Sequence, residues 1–330
     1  MGYLKAPNIE NNSVAVGSEE FKDSIQANSN QTKPSLLSDL NVDSFNTIDE
    51  MIRNILPTIL PNNKFNRITI KNNTVIKSGP SSTLCGEIFF YKNIPTQSFI
   101  SSYFPKFISS IEGSDNSQLV IEEIESIPFY TLFKHQLISE SHIMMLFEFL
   151  DTLHSLDGDI PTVDDMYSGY IDKLKKRFEV IENYPYPDAN DIQKKCLINL
   201  ENYIPYGVAF IHGDLWFSNI LLDYKNNMKV IDMRGQLNNK LTTGGDRMYD
   251  YGKLYQSILG YDAALYGDTI PHEYTQKIKN IFIREIEKRN ISLKDLRNIT
   301  ISLMIGTFHA IEKETDKLNV WNFIKGVMNT

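Results

Sequence analysis

Apolar positions along this chain change their rhythm near residue 126. Residues 1–46 are polar, rich in Asn and Ser and without periodicity, which predicts a flexible arm. Thr47-Ile48-Asp49-Glu50 then resembles a capping box, and Met51, Ile52 and Ile55 before Pro57 predict a short helix. Two β-like runs follow, Arg67–Ile70 and Thr74–Lys77, split by the polar turn Lys71-Asn72-Asn73. Leu84–Tyr91 is expected to be helical and Gln118–Ile124 to be a strand. From about residue 126 the period lengthens: Ile143, Leu146, Phe147, Leu150 and Leu153 fall on one helical face. Further helices are expected near 165–183, 190–203, 248–259, 272–289 and 293–313, the last capped by Ser292 with Asp295 three residues on. Within this helical part only Val208–Ile211, Ile220–Leu222 and Lys229–Ile231 carry β signals.

The pattern divides the chain into an arm (1–46), a small β-rich lobe (47–125) and a larger helical lobe (126–330), with a hinge near Glu122–Ser126. The fold class is α+β, and a ligand is expected in the cleft between the lobes. The 330 residues, 42% of them hydrophobic, suffice for such a core. A net charge of −8 and the lack of a long basic run argue against nucleic acid as the main partner. The two cysteines, Cys85 and Cys196, are too few for a disulfide scaffold, are not spaced as metal ligands, and read as small buried residues. With no apolar signal core and no run near the ~20 residues of a membrane span, the expectation is a cytoplasmic protein without a membrane partner.

The candidate chemistry lies where the three late strands meet, in Ile211–Leu222 and Ile231-Asp232. A carboxylate at Asp214 can accept a hydrogen bond from a substrate hydroxyl and orient it for in-line attack, or merely cap a turn. Asn219 and Asp232, five and eighteen residues further on, add a neutral and an anionic oxygen, a pair suited to Mg²⁺. Together the three match the needs of phosphoryl transfer from a nucleotide to a hydroxyl. His212 is expected to support the loop, and Gly213 to relieve crowding in a tight backbone. Lys77 closes a β-like run and Glu87 lies ten residues on, so the two can form an ion pair over nucleotide phosphates. Glu122 to Ile124 should offer backbone groups to an adenine edge. Asp250 can brace the catalytic loop, Asp246 can brace or touch substrate, and Arg234 can meet an anionic group or form an ion pair.

His212-Gly213-Asp214-x-x-x-x-Asn219 and Ile231-Asp232 together resemble the aminoglycoside phosphotransferase and choline kinase family, a branch of the protein-kinase-like fold. Lys77 with Glu87, and Leu153-His154 before a turn, add to the likeness, which covers about residues 60–310. It implies a small β-lobe over a helical lobe with ATP and Mg²⁺ between them. Asp214 then stands where the catalytic base does, Asn219 and Asp232 where the metal ligands do, and Lys77 and Glu87 where the phosphate-binding pair does. The run from Ile231 through Gly245-Asp246-x-x-Tyr249-Asp250-x-x-Lys253 is similar to a bacterial-type subset found among sugar and surface-polysaccharide enzymes. The sequence departs from the family in having Lys71-Asn72-Asn73 where a glycine-rich turn would precede Lys77, and Trp216 where a smaller or polar residue is usual.

The resemblance thus implies an ATP-dependent kinase acting on a small hydroxyl compound such as a sugar, an amino alcohol or an aminoglycoside. A protein kinase is the nearest alternative, but Gly213 replaces that family's catalytic-loop arginine, and no Ala-Pro-Glu closes an activation segment. A catalytically silent binding or scaffold protein is the other. For the acceptor, Tyr170, Trp216, Tyr249 and Tyr255 are available for a cation cage or for a core, and Trp216 can line the pocket or simply pack.

Overall fold

The computed structural model describes residues 66–181, 186 and 188–329. The expected arm 1–46 and the capping-box helix before Pro57 lie outside the described residues.

The small lobe is built on a four-stranded antiparallel sheet in the order β1-β2-β4-β3. β1 (Arg67–Lys71) and β2 (Thr74–Pro80) form the hairpin that the alternation predicts, turning through Asn72 and Asn73 at φ 51° and 58°. Two successive left-handed residues match the twist of the flanking strands, and Asn tolerates that region better than most side chains. β4 (Asn116–Glu122) is the predicted central strand, shifted by two residues. β3 (Phe107–Glu112) was not anticipated: it is an edge strand with a register shift between Phe107 and Ser109, so its apolar residues do not alternate cleanly.

Helix α1 (Ser81–Asn93) starts where β2 stops and buries Leu84, Ile88, Phe90 and Tyr91, with Tyr91 stacked on Phe107 of β3. Its other side meets the large lobe at unusually short range. A Cβ on Gly86 would lie 2.1 Å from the Arg234 carbonyl oxygen, and one on Gly235 would lie 1.8 Å from the Gly86 oxygen. Glycine at both positions lets the two backbones touch, and Gly235 at φ 56° needs the left-handed region as well. Cys85, on this contact, is only partly covered, whereas Cys196 is buried as expected.

Residues 123–125 lead from β4 into the large lobe, which opens with β5 (Ser126–Pro128) and α2 (Phe129–Lys134). Helices α3 (Glu140–His154), α4 (Val163–Ile181) and α5 (Ala189–Leu200) follow close to their predicted positions. β6 (Gly207–Val208) is shorter than the apolar run implies. The chain bends at Ala209, and beyond it the bonds run to a loop, with Ile211 N donating to the Thr243 oxygen over 2.9 Å. β7 (Ile220–Asp223) and β8 (Met228–Val230) join β5 in a second antiparallel sheet, ordered β5-β7-β8. The short pairs β9 (Gln236–Leu237) with β10 (Lys240–Leu241), and β11 (Gly245–Asp246) with β6, shape the loop beyond.

Helix α6 (Arg247–Ile258) forms the axis of the large lobe and is buried from Met248 to Ile258. After α7 (Tyr261–Tyr266) and α8 (His272–Lys288), α9 (Leu293–Thr307) lies along α6; a Cβ on Gly252 would meet Leu303 at 3.0 Å and Ile299 at 3.2 Å. Ser292 caps α9 as its sequence predicts, accepting from Asp295 N over 3.2 Å. The expected helix 293–313 ends at Thr307, and α10 (Glu314–Asn329), which was not anticipated, packs Trp321 against Tyr186 and Phe308. A 3-10 turn at Phe308–Ala310 redirects the chain so that this last apolar face folds back on the core.

The Gly86 contact is testable. Gly86→Ala should destabilise the protein by about 1–3 kcal/mol, because a rigid carbonyl has to move. Gly326→Ala is the control: with nothing within 4 Å of the new methyl, it should be neutral or stabilising by about 0.5–1 kcal/mol. Urea unfolding of both variants checks the pair, and equal effects would contradict the close-contact argument.

Candidate active site

The loop between β6 and β7 and the end of β8 place three polar side chains together. Asn219 is the last residue of a 3-10 turn, Phe217–Asn219, entering β7, and Asp232 lies two residues after β8. The β7–β8 hairpin makes them neighbours, with Ile231 N donating to the Asn219 oxygen over 3.0 Å. Asn219 then reaches back along its own loop: its Nδ2 donates to the Asp214 carbonyl at 2.9 Å and to Asp214 Oδ2 at 3.3 Å.

Asp214 and Asp232 line one cleft of about 550 Å³ between the lobes, together with Glu87, Gly213, Trp216 and Arg234. Lys253 of α6 stands 3.0 Å from Asp214 Oδ1. Burial opposes ionisation of Asp214, but the positive groups around it, the Lys253 ammonium foremost, together hold the carboxyl below the usual range. The group is therefore an anion at neutral pH, aimed into a cleft, as a proton acceptor must be.

On the small-lobe side, Lys77 is 1% exposed. Its ammonium lies 2.7 Å from Glu87 Oε1 and is also paired with Asp232. Burial would favour the neutral amine, yet the two carboxylates raise its pKa, so it stays charged. The expected Lys77–Glu87 pair thus has a third member from the other lobe. Asp232 adopts φ 64°, a left-handed conformation uncommon for a non-glycine residue.

The donor set can be weighed for a metal. Asn219 Oδ1 and Asp232 Oδ2 are both buried and make no hydrogen bond within the protein. Buried oxygens without donors are costly, and a cation would satisfy both. No group of three or more His, Cys, Asp or Glu suited to a metal occurs among the described residues. Two oxygens fit Mg²⁺, which commonly takes one or two protein ligands and completes its shell with phosphates and water.

Beneath the loop, Asp250 accepts from His212 N at 2.9 Å and from Gly213 N at 2.8 Å, while His154 Nε2 lies 3.1 Å from it. His212 is fully buried; desolvation lowers its pKa despite nearby carboxylates, so the ring is neutral. Its Nδ1 accepts from Asp214 N at 3.2 Å. Gly213 sits at φ 77°, and a Cβ there would meet the Arg234 side chain at 2.6 Å. Asp246 is spent on structure: it caps α6 through Met248 N and accepts from Tyr170, Tyr203 and Tyr206 N.

Glu122 and Ile124 are not brought to this cleft; they line a separate hollow beside the hinge. The Glu122 and Glu123 amides are already committed, to the Lys106 and Asn73 oxygens respectively. Trp216 both packs and lines the cleft, being 1% exposed. The four aromatics do not form one cage: Tyr255 stacks on Phe282 and Tyr170 bonds Asp246. Sequence reasoning missed Lys253 and the basic residues of α4 as parts of the site. Their signal was the helical spacing of Lys173, Lys176 and Arg177, and of Tyr249 and Lys253, each set on one face.

The bracing by Asp250 makes a prediction. Asp250→Asn turns an amide donor toward one of two buried loop N–H groups, and should lower stability by about 1–3 kcal/mol. Urea unfolding checks it; an unchanged midpoint would show that the loop holds itself.

No family model and no curated protein matches this sequence. Solved structures do match the fold. A choline/ethanolamine kinase family protein from Mesorhizobium loti superposes with a TM-score of 0.55 at 13% identity, covering 82% of this chain and 87% of that one. A glucosamine kinase gives 0.53 at 8% identity, covering 80% and 76%. The ADP-bound aminoglycoside phosphotransferase APH(2'')-Ib gives 0.50 at 14% identity, covering 84% and 96%. The chain therefore has the two-lobed fold that these phosphotransferases share, in agreement with what its motifs imply.

Proposed function

We propose that this protein is an ATP-dependent phosphotransferase that moves the γ-phosphoryl group to a hydroxyl of a small molecule. The observation that carries the reading is the pairing of an ionised carboxylate, Asp214, with two donor-free buried oxygens, Asn219 Oδ1 and Asp232 Oδ2, on adjoining loops. Phosphoryl transfer asks little covalent chemistry of a protein and much positioning and charge compensation. Asp214 accepts the hydrogen bond of the acceptor hydroxyl and receives its proton as the oxygen attacks. Lys253 keeps the carboxylate charged and fixes its direction. Lys77, oriented by Glu87, holds nucleotide phosphate oxygens, and Asn219 with Asp232 would hold Mg²⁺. That ion, when bound, neutralises charge on the phosphates as the bond to the leaving oxygen breaks. His212 and Asp250 keep the loop in register without touching the reacting atoms.

A small acceptor accords with Gly213 in the catalytic loop and with the short passage from Asp232 to α6, which offers no extended platform for a peptide. The solved structures of this fold described above include a glucosamine kinase and an aminoglycoside phosphotransferase.

Asp214→Asn should reduce kcat by about 10²-fold or more while leaving the KM for ATP nearly unchanged. Asp232→Ala should abolish the rise in melting temperature that Mg-ATP produces in the wild type. Steady-state kinetics and thermal unfolding decide both; near-normal kcat in Asp214→Asn would overturn the assignment of the base.

A further inference from the structure

The wall of the cleft contributed by the large lobe carries more positive charge than the reaction alone requires. Lys173, Lys176 and Arg177 stand one turn apart on α4, Arg234 comes from the loop after Asp232, and all four line the cleft with Asp214. Among the described residues none of them forms an ion pair with a carboxylate. The acids nearby are otherwise engaged: Glu87 and Asp232 by Lys77, and Asp214 by Lys253. Only Asp172, at the exposed rim, is left among the lining carboxylates. The whole chain is acidic, at −8, so this local excess runs against its average.

Packing holds the cations in place. The Lys173 ammonium donates to Tyr249 Oη over 3.0 Å, and its Cε would lie 3.2 Å from a Cβ on Gly306. The Arg234 guanidinium lies 5.2 Å from the centre of the Tyr249 ring, and Gly213 packs against its stem. Arg177 Nε is buried without a hydrogen-bond partner. Tyr249 senses the combined field: burial would raise its pKa, but Lys173, Arg234 and Lys253 bring it down to about 7. Gathering cations costs folding free energy unless anions compensate it; Tyr249, near its pKa at neutral pH, supplies part of that charge and a bound anion would supply the rest.

We propose that the acceptor is an anionic hydroxyl compound, a sugar bearing a carboxylate or phosphate, whose charged group is held by Lys173, Arg177 and Arg234 while its hydroxyl meets Asp214. This rests on the phosphotransferase reading and narrows its substrate. A choline-like or aminoglycoside-like cation would be repelled by the same wall, and Tyr249, the aromatic best placed to receive it, already has two cations beside its ring.

The test uses acceptors with one ring and different charge: glucose, glucosamine, glucuronate and glucose 6-phosphate, each with Mg-ATP, following ADP release. Glucuronate or glucose 6-phosphate should exceed glucose in kcat/KM by about tenfold or more, with glucosamine lowest. The better of the two anionic arms identifies carboxylate or phosphate as the group recognised. The double variant Lys173→Gln with Arg177→Gln should remove that preference by raising the acceptor KM about tenfold, while the KM for ATP stays within about twofold. Lys173→Arg, which keeps the charge, should retain the preference. A preference for glucose or glucosamine, or equal losses for charged and neutral acceptors in the double variant, would overturn the proposal while leaving the phosphotransferase reading intact. If no acceptor is turned over and Mg-ATP gives no thermal protection, that reading itself fails. Calorimetric titration of glucuronate and glucose 6-phosphate into the wild type and the double variant then judges the anion site alone, and equal heats overturn it.

Discussion

One buried ammonium links the parts of the molecule on which its chemistry depends. Lys77 on β2 is held by Glu87 of α1 and by Asp232 at the end of β8, so a single cation joins the sheet, the helix beside it and the large lobe. Removing the Lys77 ammonium would leave two carboxylates facing each other away from water without compensation, at a cost of about 3–5 kcal/mol. The lobes are therefore coupled through the groups expected to handle phosphates. The meeting of Gly86 and Gly235 backbones serves the same end, since α1 could not bring Glu87 to Lys77 and Asp232 if side chains separated it from the loop.

The loop that carries Asp214 is held from below by a second device of a different kind. Asp250 lies on α6, which is buried from Met248 to Ile258, and spends its carboxylate on two successive loop amides. A rigid helix thereby dictates where His212 and Gly213 lie, and hence where Asp214 points. Lys253, one turn further along α6, faces Asp214 itself, so the same helix positions the loop and sets the charge state of its carboxylate. Because α6 is packed along its whole length, these constraints rest on the core of the large lobe.

The cleft is then divided by the sign and origin of its charges. The cation from the small lobe is satisfied by acids, whereas α4 and the loop after Asp232 present cations that form no ion pair with a carboxylate among the described residues. The former arrangement suits a nucleotide carried with its metal, and the latter suits an anion arriving alone.

Much of this could be read from the amino acids in order. The spacing of His212, Asp214, Asn219 and Asp232 pointed to the candidate site because one loop and one hairpin bring them together, and such neighbourhoods are encoded locally. The β1–β2 hairpin, the amphipathic α3 and the Ser292 cap were legible for the same reason. Edge strand β3 and helix α10 were not, since a bulge blurred one pattern and a chain reversal after Thr307 determined the other. The hinge shows the limit within the site, because pairing with distant Lys106 and Asn73 commits the Glu122 and Glu123 amides. The sequence by itself determined which polar residues gather at the candidate site, since they lie on one loop and one hairpin. Only the tertiary structure decided the charge they work beside, because Lys173 and Tyr249, 76 residues apart, become neighbours only when α4 and α6 pack together.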